Sequence, residues 1–148
     1  MTVFYGINTT ARNIAVNNPL AQLDGSQQGG NVRVYHEVIT LATQTTSDTI
    51  VVAYPSKGET FLRGWLTTTV TLGTATLAVG ITGTTGKYRA AAVLTATDTP
   101  TPFAVAANMI ASGAIPKLTA DETVFLTIGT ASLPASGTLV VDLEFAQT

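Results

Sequence analysis

Cysteine is absent from this 148-residue sequence, and charged residues make up only 11% of it. Without cysteine the chain can form no disulfide framework, no zinc–thiolate site and no cysteine nucleophile. The seven Lys and Arg residues are scattered, and with nine Asp and Glu they leave a net charge of −2. Such a chain has no basic stripe for phosphates and no polybasic membrane patch, so we expect neither nucleic acid nor a membrane as a partner.

Long hydrophobic runs are also missing. No stretch approaches the ~18 uninterrupted apolar residues of a membrane-spanning helix, and the first residues lack the basic region and apolar core of a secretory signal. These features predict a chain that is made in the cytoplasm and does not enter a membrane.

The abundant residues are small, apolar or hydroxyl-bearing. Hydrophobic residues make up 45% of the chain, and roughly a fifth of it is threonine, whereas about a quarter of an ordinary soluble domain is charged. The length predicts one domain. Because so few charges leave apolar surface uncovered, and exposed apolar patches mark contacts with partners, the composition predicts a component of an assembly.

The first 30 residues differ from the rest of the chain. They are rich in Asn, Gln and Gly, with no sustained hydrophobic period, so they bury too little to fold alone. A frayed terminus is one interpretation. We favour an extended arm that orders on a neighbouring subunit, because a linker has no use for adjacent aromatic residues. The candidate contact residues in this arm are Phe4, Tyr5, Ile7 and Arg12.

Residues 61–82 carry the clearest strand signal, with apolar side chains at every second position. Leu66 and Val70 belong to one run, Leu77 and Val79 to the next, and Gly73 lies between them. The pattern predicts a β-hairpin. Its first strand places Phe61, Arg63 and Trp65 on the face opposite Leu66.

Other strands are predicted from similar alternation, with Gly- and Pro-containing turns between them. A turn over 83–87 precedes one of these strands. The segment 98–115 allows two interpretations: a short helix capped by Thr101 with Pro102 at its first position, or an irregular strand over 103–109. The predicted strands lie at 31–41, 49–54, 88–95, 123–129 and 137–145.

Seven to eight short strands with turns between them predict an all-β protein, an antiparallel β-sandwich or jelly roll. The sandwich would span 31–148 and the extended N-terminal arm 1–30.

Reactive groups are too sparse to predict catalysis. His36 is the single histidine and lies mid-strand without a nucleophile motif around it, so we expect a structural role for it and no enzymatic activity. Asp142 and Glu144 share a strand face and could seat a cation or provide a glycosidase-like carboxylate, but alternation with apolar neighbours already explains them as a solvated face. We expect no catalytic residues, no metal site and no cofactor.

Trp65 is the most informative single residue. Together with Phe61 and Arg63 it would form a second, weaker candidate for a subunit interface, since Trp and Arg are favoured anchors there. Cover by a loop of the same chain is an equal alternative. A sugar-stacking platform is a third, for which the sequence places no acid or amide cluster near Trp65.

The order of these segments resembles a known family. The arm, then GGNVRVYHEVITLA, the Tyr-Pro-Ser-Lys-Gly turn before FLRGWL, LGTATLAVGI, and ADETVFLTIGTASLPASGTLVVDLEF together resemble the small head decoration, or cement, proteins of tailed bacteriophages. The similarity covers residues 31–145 and extends more loosely through the arm. The stretch 99–116 departs from the family pattern and stays unassigned.

The resemblance implies a jelly-roll sandwich that assembles as a homotrimer on the outer surface of the capsid and stabilises it by bridging subunits of the major capsid protein. It also implies an extended N-terminal segment used in contacts and no catalytic motif. The alternative from another class is a carbohydrate- or receptor-binding module of a virion fibre, which would need Trp65 exposed beside a polar groove. A hydrolase using His36 is the least favoured.

Overall fold

A computed structural model describes residues 31–104 and 117–147. These residues form eight strands and no helix. The strands are β1 (Val32–Thr40), β2 (Thr49–Ala53), β3 (Thr60–Thr68), β4 (Thr76–Ile81), β5 (Thr84–Val93), β6 (Thr101–Ala104), β7 (Val124–Gly129) and β8 (Thr138–Ala146).

The strands form two four-stranded sheets. Sheet A has the order β1-β8-β3-β6 and sheet B the order β2-β7-β4-β5, and every neighbouring pair is antiparallel. The chain changes sheet at each connection except the one between β4 and β5, which is the strand order of a jelly roll. The predicted fold class is confirmed: an antiparallel β-sandwich of eight strands. The predicted arm, 1–30, lies outside the described residues.

The core lies between the two sheets and is built from their inward-facing residues. In β8 the alternation is complete, with Leu139, Val141 and Leu143 buried and the residues between them partly exposed. An aromatic cluster fills one end of the core. Phe61 lies 4.7 Å from Tyr88 and 5.3 Å from Phe145, measured between ring centroids, and these tilted and edge contacts are the arrangements that aromatic rings favour.

The predicted hairpin over 61–82 is wrong. β3 belongs to sheet A and β4 to sheet B, so the two strands face each other across the core instead of pairing. The seven-residue connection between them, 69–75, crosses from one sheet to the other. Alternation shows that each strand has one buried face, but it does not distinguish a paired neighbour from one in the opposite sheet.

The hairpin of this region joins β4 and β5 instead. Ile81 pairs with Thr84, so Thr82 and Gly83 form a two-residue turn, and Gly83 has φ +81°. Turns of this length require positive φ, which glycine adopts without strain. The strand predicted at 88–95 therefore begins earlier, at Thr84, within the segment 83–87 that was predicted to be a turn.

The segment 98–115, for which the sequence allowed a helix or a strand, contains the strand β6 in its described part. β6 pairs with β3 at the edge of sheet A, with Thr101 opposite Leu66 and Pro102 opposite Trp65. A helix beginning at Thr101 is therefore excluded there. Proline lacks a backbone N–H and is tolerated in edge strands, which explains why Pro102 permits this pairing. Residues 105–116 lie outside the described residues.

No helix among the described residues is long and apolar enough to cross a membrane.

Candidate functional site

The outer face of sheet A carries the most distinctive surface of the described chain. Side chains alternate along each strand, so every second residue of β1, β8 and β3 points away from the core. We call the resulting set of outward-facing residues the outer patch. It consists of Val32, Val34, His36, Val38, Arg63, Trp65, Thr67, Val140, Asp142 and Glu144.

Two close side-chain pairs cross the outer patch between neighbouring strands. His36 Nδ1 lies 2.6 Å from Asp142 Oδ1, and Arg63 Nε donates to Glu144 Oε2 at 2.8 Å. The partners are directly opposite in the strand register, at the separation where cross-strand pairs interact. The two carboxylates are only partly exposed, 28% for Asp142 and 18% for Glu144. Each acid of the patch is thus held in place by a cationic or ionisable partner.

Trp65 is ordered by the same arginine. The Arg63 guanidinium carbon lies over the indole ring, 4.9 Å from its centroid, which is within the range of a cation–π contact. Arg63 therefore contacts both the aromatic ring and Glu144. Arg63 and Trp65 therefore lie side by side on one face of β3, as their alternation with Leu66 predicted.

A depression of about 310 Å³ lies beside this ring. Glu144 and Asp142 on β8 lie between the wall formed by Val34 on β1 and the wall formed by Trp65 and Thr67 on β3. Pro100, just before β6, completes the lining, and Arg63 is not part of it. The sequence showed no acid near Trp65, but sheet pairing places two acids beside it.

Phe61 does not belong to this surface, so the prediction that it faces outward is wrong. Its side chain is 1% exposed and lies in the core. The register of β3 against β8 shifts between Phe61 and Arg63, which marks a β-bulge at Leu62. A bulge adds one residue to the strand and reverses the facing of everything before it, so strict alternation fails there. The arm residues Phe4, Tyr5, Ile7 and Arg12 lie outside the described residues.

The edge strand β1 exposes a row of apolar side chains. Val32, Val34 and Val38 are each more than half exposed. Among the strands that the structure describes, β1 pairs with β8 on one side only and so lies at the edge of sheet A. Exposed apolar rows at a sheet edge are surfaces on which other chains dock.

His36 contacts a carboxylate on this exposed face. Its ring nitrogen is held by Asp142, and its side chain is 58% exposed. The residue therefore has a cross-strand partner on an open sheet face. The described residues contain no group of three or more metal-ligating side chains.

Two carboxylates away from this patch are buried or largely buried in places that the sequence did not reveal. Glu59 is almost fully buried, and its carboxylate accepts hydrogen bonds from Arg33 Nη1 at 3.0 Å and from the backbone N–H of Ser56 at 3.2 Å. This pair joins β1 to the turn before β3 and holds the edge strand against the sandwich.

The second place surrounds Glu122, in the loop before β7. Its carboxylate pairs with the Lys87 ammonium and accepts a hydrogen bond from the Tyr88 hydroxyl at 2.5 Å. Burial raises the pKa of Tyr88, and the neighbouring Glu122 carboxylate raises it further. Lys87 and Tyr88 are adjacent on β5, and Glu122 is far away in sequence, so no spacing signal could have linked them.

Comparisons with known proteins give matches in structure only. No protein-family model and no curated protein matches the sequence. A chain in the cyanophage Pam1 capsid asymmetric unit has a TM-score of 0.65 at 22% identity, over 89% of this chain and 97% of that chain. A chain in the capsid of Ralstonia phage GP4 has a TM-score of 0.60 at 20% identity, over 80% and 86%.

A chain in the acidic stable capsid structure of Helicobacter pylori bacteriophage KHP30 has a TM-score of 0.56 at 11% identity, over 78% of this chain and 86% of that chain. At these identities the similarity shows a shared fold.

Proposed function

We propose that this protein is a structural component of a bacteriophage virion, and that within the virion it is a decoration, or cement, protein. It binds the outer surface of the capsid, bridges subunits of the major capsid protein and stabilises the shell. Its role is binding, without catalysis.

The observation that carries the proposal is the likeness in fold to chains from three phage capsid structures. In the Pam1 comparison the alignment covers 89% of this chain and 97% of the other, so the two chains are of similar length. The similar chain is therefore a small jelly roll with little else attached. A chain of that size in a capsid fits an accessory protein better than a shell-forming one.

The outer patch and the composition support a binding role. Val32 and Val38 on β1 are more than half exposed and lie outside the depression beside Trp65, so they offer apolar area to a partner without covering the acids. Each Å² of apolar surface buried against a partner contributes about 25 cal/mol. Separating the shell subunits would expose that area again, which is how such a protein would reinforce the capsid.

The N-terminal arm supplies the other contacts in this proposal. Thirty extended residues reach at most about 100 Å, enough to leave the sandwich and contact a neighbouring subunit. Phe4, Tyr5, Ile7 and Arg12 are its proposed contact residues. Assembly as a homotrimer belongs to the same proposal. A subunit interface through Arg63 and Trp65 would cover the Trp65 ring, so the accessibility of that ring in the assembled protein tests this part of the proposal.

The test is co-sedimentation with undecorated capsids of the same virus. We expect the full chain to sediment with capsids and the variant lacking residues 1–30 to fold but stay in the supernatant. Phe4→Ala combined with Tyr5→Ala should weaken binding, whereas Asn17→Ala combined with Asn18→Ala, the matched control, should not. Full binding by the truncated chain would refute the role of the arm, and failure of the full chain to bind would refute the proposed function.

A further inference from the structure

We propose that the depression beside Trp65 is a saccharide-binding site, a function separate from capsid attachment. The depression has an aromatic wall and two carboxylates held in fixed positions, which are the groups needed to receive a sugar ring. The ring's apolar C–H face would stack on the indole, and its hydroxyl groups would donate hydrogen bonds to Asp142 and Glu144.

The site is ordered before any ligand arrives. Arg63 holds the Trp65 ring by a cation–π contact at 4.9 Å and Glu144 by a hydrogen bond at 2.8 Å, while His36 holds Asp142 at 2.6 Å. Preorganised groups lose little conformational freedom when a ligand binds. Arg63 and His36 are positioning residues in this proposal, because Arg63 is not part of the lining and His36 acts through Asp142.

The hydrogen-bonding groups favour hydroxyl donors over other ligands. Ionised carboxylates accept hydrogen bonds and donate none. His36 occupies Oδ1 of Asp142 and Arg63 occupies Oε2 of Glu144, which leaves one oxygen of each acid for a ligand. A hydroxyl-rich ligand supplies donors for the carboxylates. A cationic ligand would gain less, because Arg63 already balances Glu144 and would repel a second cation beside it.

An extended peptide fits this place poorly. β8 is paired on both sides, and β3 is paired with β8 and, over residues 63–66, with β6, so neither strand can add a further strand beside Trp65. The carbonyl groups of a peptide would need donors, and the depression offers mainly acceptors. Its volume of about 310 Å³ lies at the lower end of ligand-binding clefts, which suits one or two sugar rings.

Trp65 also makes the site directly measurable. It is the single tryptophan of the chain, so selectively excited tryptophan fluorescence reports on the depression alone. We would titrate the full-length protein with methyl glycosides of common hexoses and, in parallel, probe an array of bacterial surface polysaccharides. We expect at least one saccharide to shift or quench the fluorescence saturably, with a dissociation constant in the millimolar range for a single ring.

Substitution of the two acids distinguishes a specific saccharide site from stacking on the Trp65 ring alone. Asp142→Asn and Glu144→Gln should weaken binding roughly tenfold, since each loses a charged acceptor. Glu37→Gln, on the opposite face of sheet A's edge strand, is the matched control and should bind like the natural chain. Equal binding by all three variants would overturn the proposal, because it would mean that the carboxylates do not contact the ligand.

Two further results would also overturn it. One is that no saccharide on the array binds and none of the glycosides changes the fluorescence, although acrylamide quenches Trp65 and so shows that the ring is accessible. The other is shielding of Trp65 from acrylamide by capsids or by a second copy of the chain, with no response to saccharides, which would identify the patch as a protein interface. Capsid co-sedimentation is read independently, so failure of the saccharide site leaves the proposed function standing and the reverse also holds.

Discussion

Replacing Tyr88 by phenylalanine should destabilise the protein near pH 7, and this loss of stability should disappear as the pH rises. Tyr88 is fully buried, and its hydroxyl donates to the Glu122 carboxylate at 2.5 Å. Hydrogen bonds to charged groups contribute about 1.5–3 kcal/mol, so near pH 7 we expect Tyr88→Phe to lower the free energy of unfolding by that amount.

Burial raises the pKa of Tyr88, so at high pH this hydroxyl destabilises the folded state relative to the unfolded state. Above pH ~10, the usual pKa of tyrosine, the unfolded chain loses the proton while the folded chain keeps it. The unfolded state then binds fewer protons, so stability falls with pH by about 1.4 kcal/mol per unit from this group. Phenylalanine has no such dependence. A deficit of about 1.5–3 kcal/mol at neutral pH should therefore vanish roughly one to two units above pH 10, near pH 11–12.

Urea unfolding at fixed protein concentration, followed by Trp65 fluorescence, measures both curves. Tyr54→Phe is the matched control, since Tyr54 is 65% exposed. It should track the natural chain from pH 7 to 12. Parallel curves for Tyr88→Phe and the natural chain over the whole range would refute the assignment of a buried, raised-pKa tyrosine at this position.

Two further substitutions test the packing of sheet A. Gly64→Ala would place a methyl group 2.4 Å from Phe103 Cζ and 2.9 Å from the backbone oxygen of Asp142, so we expect a loss of about 1–3 kcal/mol in urea unfolding. Combined with Phe103→Val it should cost less than the sum of the single changes, and strict additivity would contradict the contact. Glu59→Gln removes the charge that Arg33 pairs with and should lower the free energy of unfolding by about 1–3 kcal/mol, whereas exposed Glu37→Gln should change it by less than about 0.5. Equal effects of the two Glu→Gln changes would contradict a structural role for the buried carboxylate.

The fold class could be predicted from the sequence because alternation and turn residues act locally. The pattern of β8, with Leu139, Val141 and Leu143 alternating with Val140 and Asp142, fixes which face is buried whatever the partner strand. Which strands pair is a property of the whole chain. The same local signal in β3 and β4 was compatible with a hairpin or with a crossing between sheets, and the structure has the crossing.

The candidate site was predictable only in part. Arg63 and Trp65 were identified because they alternate with Leu66, and they do lie on one outer face. Phe61 was misplaced because a β-bulge at Leu62 leaves no mark in a hydrophobic pattern. Asp142 lies 77 positions beyond Trp65 in the chain yet directly opposite it in the sheet, so the acids beside the indole became visible only with the register.

The heat resistance of capsids tests the central claim most directly. Undecorated capsids of the same virus would be warmed with and without saturating full-length protein, and shell opening followed by light scattering and by release of packaged DNA. If the chain bridges shell subunits, its bound copies should raise the opening temperature, and the variant lacking residues 1–30 should not. Capsids that open at the same temperature with the protein bound would contradict reinforcement by bridging.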